Sequence, residues 1–137
     1  MKKKLKQNQL FIQNFGTYTD EILVMIGLHE KKELLRFMKK HRVKVDIAKW
    51  ILENYDEWKK EEHQGMFAWN DEIRAKILIL RSPADAWDYW EVLMHEIHHV
   101  VFHTAKQKSL TEETEAQAYL FEYLFHHIRK KIMNITD

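Results

Sequence analysis

The chain has 137 residues, 45% of them apolar and 12% aromatic, enough for one hydrophobic core and too few for two. Its 22 basic residues nearly balance 21 acidic ones, and a net charge of +1 leaves no electrostatic footprint for nucleic acid or an anionic membrane. The lack of cysteine excludes disulfides, thiolate metal sites and thiol catalysis together.

In chain order, MKKKLK reads as a short, solvated basic terminus. MKKKLKQNQLFIQ has no long apolar core after its lysines, so no secretory segment is expected. The longest greasy run, ILVMIGL, is far short of the ~20 residues of a membrane helix. These features lead us to expect a soluble cytoplasmic protein. LFIQNFGTYTDEILVMIG predicts two short strands, residues 22–26 forming the clearer one. HEKKELLRFMKKH and VDIAKWILENYDEWKKEE carry the 3.6-residue apolar rhythm of helices, as in Ile47, Ile51, Leu52 and Tyr55. GMFAW and AKILIL, joined by NDEIR, predict a β-hairpin or two adjacent strands. Pro83, the only proline, breaks the chain before a long helix over residues 84–104. Ser109 and Glu112 have the spacing of a capping box, which predicts a final helix from there to about Met133. The order is ββααββαα with no linker or repeat, and the expectation is one α+β domain over residues 1–137.

HEIHHVVFH, residues 95–103, carries four histidines and a glutamate. His95 and His99 are four apart, on one helical face and about 6 Å apart along the axis. Two imidazoles at that spacing can share one tetrahedral ion. Glu96 completes H-E-x-x-H, where the glutamate sits beside the ion and takes a proton from a water the metal activates. His103 is about 12 Å along the axis from His95, so one straight helix cannot bring His95, His99 and His103 onto one ion. His98 points roughly 60° away from His95. His98 and His103 are therefore expected to support the ligands from behind or simply to pack. A histidine-rich surface helix is the competing reading. Against it stand Trp87, Trp90, Leu93, Met94, Ile97, Val100, Val101 and Phe102, which predict a helix buried nearly all round and in need of a partner for its polar groups.

A third ligand is required. Metzincins supply it through H-E-x-x-H-x-x-G-x-x-H, but Phe102 and Ala105 occupy the last two positions here. TEETEAQAYLFEYLFHH offers Glu112, Glu113, Glu115 and Glu122 instead. Glu115, Tyr119, Glu122 and His126 form one polar stripe on an otherwise greasy helix. Such a stripe suits a helix that faces a metal and equally a helix with one solvated side.

The pair of motifs, His95-Glu96-x-x-His99 and Glu115-Ala-Gln-Ala-Tyr119-Leu, resembles the zincin-like metallopeptidases of phages and prophages. It is more distantly similar to the ImmA/IrrE family, whose helix also has a histidine where His103 stands. The resemblance is motif-specific over residues 75–125; the first half matches only in its order of strands and helices. It implies His95, His99 and Glu115 as ligands of one zinc ion per chain, Glu96 as general base, and a zincin-like fold in which a short mixed sheet packs on the H-E-x-x-H helix and a C-terminal helix. Larger gluzincins place an acid four residues after the ligand glutamate; Tyr119 stands there, and Glu91 or Glu122 is the available substitute.

The expected activity is hydrolysis of a peptide or protein substrate by a zinc-activated water, within the cytoplasm of a bacterial host if the chain is phage-encoded, with no nucleic-acid or membrane partner. AKILIL would flank the cleft and pair with extended substrate, or would be a plain core strand. Arg81, Tyr119, Tyr123 and His126 are candidates for oxyanion stabilisation, and the Trp87/Trp90 pair reads as core. The rival reading is a non-catalytic regulatory protein that keeps a zincin scaffold.

Overall fold

The computed structural model describes residues 8–81 and 89–133. The order is β1 (Gln9–Phe15), β2 (Tyr18–Ile26), α1 (Lys31–Lys40), α2 (Val45–Lys60), β3 (Gly65–Asn70), β4 (Ala75–Leu80), α3 (Tyr89–Gln107) and α4 (Thr114–Met133). This is the ββααββαα order expected, in a small α+β unit. The basic start and residues 84–88, including Trp87, lie outside the described residues.

The four strands form one mixed sheet in the order β1-β2-β4-β3. β2 and β4 run parallel, with Leu23 opposite Ile77 and Ile26 opposite Leu80, while β1 and β3 pair antiparallel on the outside. Parallel neighbours need a long crossover, and α1, α2 and β3 supply it. Both central strands are near-continuous apolar runs because helices cover both faces. Ile22, Val24, Ile26, Leu78 and Leu80 face α3 and α4. Leu23, Met25, Ile77 and Ile79 face α1 and α2, meeting Leu34, Met38, Ile51 and Tyr55, two i,i+4 pairs on amphipathic helices. Each such side chain contributes about 1.5–3 kcal/mol on full burial.

Of the two readings of AKILIL the core strand holds: every residue is buried and both edges are paired, so the edge beside α3 is β3. Strand neighbours are set by the crossover and not by how apolar a strand is. Two expectations are corrected here. α3 is not buried all round: Met94, His95, His98, His99 and Phe102 form an exposed strip, since the sheet and α4 cover only its other sides. Ser109 does not open the last helix. α3 continues to Gln107 and closes with the Leu110 N–H on the Ala105 carbonyl (2.8 Å) and the Ser109 N–H on the Lys106 carbonyl (3.4 Å), with Ser109 left-handed at φ 56°. That is a Schellman closure. α4 starts at Thr114, where the Glu113 carbonyl accepts from the Gln117 N–H, and the Gln117 amide donates back to the carbonyls of Leu110 and Thr111.

A buried ion network ties the sheet to α3. Lys76 of β4, nearly sealed from solvent, lies 3.4 Å from Asp20 of β2, donates to Thr104 of α3 and sits over the Phe15 ring; Lys108 lies 3.1 Å from the same carboxylate. Burial raises the Asp20 pKa, but the two ammoniums outweigh it and hold the carboxyl below its ordinary value.

Candidate metal centre and its cleft

Helix α3 places the His95 and His99 rings edge to face, centroids 4.8 Å apart, with their Nε2 atoms 3.1 Å apart. Both side chains are exposed. Two Zn–N bonds of about 2.0–2.1 Å at a tetrahedral angle put the nitrogens roughly 3.3 Å apart, so the pair has the separation that one ion requires. Without a metal, one ring donates to the other if their tautomers differ.

Glu96 points to the other side of the strip and is 7% exposed. It lies against β3: a Cβ on Gly65 would come within 2.7 Å of Glu96 Cγ and 3.0 Å of Val92 Cγ1. The glycine at the start of β3 is thus the space that the glutamate occupies. Burial pushes the Glu96 carboxyl above the usual carboxylate range, and positive charge on His99, His95 and His63 pulls it part of the way back. A carboxyl in that position is a proton acceptor of raised basicity beside an imidazole pair.

The groups open onto a cavity of about 530 Å³ lined by His63, Gly65, Phe67, Trp69, His95, Glu96, His99, Phe102, His103 and Lys106. A second hollow of about 330 Å³ continues past His63, His95 and Glu96 to Glu91. One wall is β3, whose outer edge has no strand partner among the described residues. His63 was not singled out from the sequence. It stands on the loop between α2 and β3, which is fixed by the Arg81 N–H on the Gln64 carbonyl (2.7 Å) and the Arg81 guanidinium on the Trp58 carbonyl. Arg81 therefore anchors a cleft-wall loop and is not itself a cleft residue.

His103 packs on Phe67 and Trp69 and meets Asp71 at 3.0 Å; Gln107 donates to the same carboxylate oxygen. Burial lowers its pKa and Asp71 opposes the shift. His98 packs against the Phe121 ring, the two tilted by 35°. Trp90 is half-buried against the core with Tyr89 edge-on. Tyr123 donates to Asn14, away from the cleft, and Tyr119 and His126 are exposed on α4.

Glu115 is exposed in the first turn of α4 and lines neither hollow. The stripe Glu115, Tyr119, Glu122, His126 is solvated throughout. Among the described residues, no three His, Cys, Asp or Glu side chains converge as a metal-binding group. The structure thus brings His95, His99 and Glu96 together with His63 on one cleft, and leaves Glu115 outside it. No protein family, curated protein or solved structure matches this chain.

Proposed function

We propose that the chain is a zinc-dependent metallopeptidase. The observation that carries the proposal is the His95–His99 pair, its Nε2 atoms 3.1 Å apart, beside a buried Glu96 and an open cleft. His95 and His99 would hold the ion; Glu115 enters the ligand set through the resemblance of E-A-Q-A-Y. Zinc, when bound, supplies Lewis-acid polarisation of a carbonyl and acidifies a water. The chain's own residues do the rest. Glu96 takes the proton from the attacking water and passes it to the leaving amine. His63, which lines the same hollows as Glu96, would be the donor to the developing oxyanion. The outer edge of β3, which has no strand partner among the described residues, would offer backbone N–H and C=O groups to an extended peptide, one of the two parts open to AKILIL.

The test is Glu96→Gln. Glutamine keeps the shape but cannot accept the proton, so zinc content should be unchanged while cleavage of an unfolded protein such as denatured casein falls by roughly 10²–10⁴-fold. In the rival reading, a non-catalytic zinc protein on the same scaffold, Glu96 has no chemical task. Equal cleavage by both proteins at equal zinc would overturn the peptidase mechanism.

A further inference from the structure

On the opposite face of the sheet from α3, a cavity of about 380 Å³ opens between the end of α1, the start of α2, β2 and the β3–β4 turn. It shares no lining residue with the cleft. Its inner wall is apolar, built from Val43, Ile47, Ile51 and Leu23 among others. Its volume is at the small end of the range for small-molecule sites, roughly 300–1,000 Å³.

Four lysine and arginine side chains border this cavity: Lys76 is buried and paired with Asp20, while Arg42, Lys44 and Arg74 are exposed and none of the three is in an ion pair among the described residues. Two acids border it as well. Asp20 is held by Lys76 and Lys108, which leaves Glu21 as the one carboxylate outside an ion pair. The free charge at the mouth is therefore positive.

The backbone adds an independent observation. Arg42 and Arg74 are two of three non-glycine residues with positive φ among the described residues, at 54° and 53°. Arg42 closes α1 in a Schellman turn, its N–H on the Lys39 carbonyl and the Val43 N–H on the Met38 carbonyl. Arg74 closes the four-residue turn between the paired Asn70 and Ala75. Both positions favour glycine, because a Cβ in the left-handed region crowds the backbone. Glycine would make either turn without that strain; arginine makes it and also puts a cation in the lining of the same cavity.

The geometry points to a binding site for a small amphipathic anion, an aliphatic chain ending in a carboxylate or phosphate. The chain fills the apolar wall, and the head group is held by Arg42 and Arg74, whose planar guanidiniums match either oxyanion bidentately. The site does not depend on the zinc reading.

The probes are decanoate and decyl phosphate, with decanol as the neutral control, titrated into the ¹⁵N-labelled full chain and followed by backbone amide shifts. One or both anions should move the amides of residues 41–47 and 73–76, and decanol should bind at least tenfold more weakly. The double variant Arg42→Gly, Arg74→Gly removes the guanidiniums and the backbone strain together. It should bind the anion at least tenfold more weakly while its Tm rises, so lost binding cannot be put down to misfolding. Which anion binds more tightly identifies the head group. No saturable shift with either anion, unchanged affinity in the double variant, or decanol binding as tightly as the anions would each overturn the site.

Discussion

Gly65 and Glu96 share one space: a side chain on the glycine would overlap Glu96 Cγ at 2.7 Å. The buried position of Glu96, the proposed general base, therefore exists because the edge strand β3 begins without a Cβ. Gly65→Ala should push Glu96 out of place without touching either histidine. The expected result is unchanged zinc content and a roughly 10–100-fold loss of kcat/KM, the scale of a misplacement near 1 Å. Full activity in this variant would show that Glu96 does not work from its present position.

Lys76 depends on Asp20. Asp20→Asn leaves a nearly sealed ammonium with only Thr104 and the Phe15 ring, and should cost about 3 kcal/mol at pH 7 by urea unfolding. The pH dependence has a definite sign. The folded Asp20 pKa is depressed below 3.8, so its stabilisation is complete above about pH 4 and is lost as pH falls through the lower folded value. Burial depresses the Lys76 pKa below 10.5 and Asp20 opposes this, so removing Asp20 deepens the depression. The variant should thus lose the acid-side decline and gain stability as pH rises toward 10.5, where the unfolded state holds the proton longer. Parallel pH curves for the two proteins would contradict the pairing.

The order of elements was legible in the sequence because strand runs such as AKILIL and amphipathic repeats such as Ile51 and Tyr55 are local signals. The His95–His99 pairing was legible for the same reason: four residues on a helix fix a shared face. What escaped was non-local. The sequence leaves AKILIL open between a cleft strand and a core strand, because only the crossover topology makes it central and β3 the edge. His63 reaches the cleft only because Arg81 pins its loop, a tether between distant residues. Asp20 and Lys76 likewise meet across the sheet. Ser109-x-x-Glu112 matched a helix start in pattern, but the preceding helix ran on and took Ser109 for its own ending.

That ending can be tested directly. Ser109 sits left-handed at φ 56°, where glycine is favoured. Ser109→Gly should therefore stabilise the fold by about 0.5–1 kcal/mol, seen as a rise in Tm of roughly 2–4 °C. If Ser109 instead capped α4, the same change would lose a few tenths of a kcal/mol and lower Tm.

The zinc proposal rests on two nitrogens 3.1 Å apart, and zinc content per chain addresses it most directly. Metal analysis after reconstitution and exhaustive dialysis should give about one zinc in the wild-type chain, and little in His95→Ala or His99→Ala. Glu115→Ala should retain less zinc than wild type if α4 contributes its carboxylate. His103→Ala should retain the full amount, because His103 is engaged with Asp71 and the Phe67 and Trp69 rings. A wild-type chain that takes up no zinc, or His95→Ala and His99→Ala chains that hold as much as wild type, would contradict the metal centre itself.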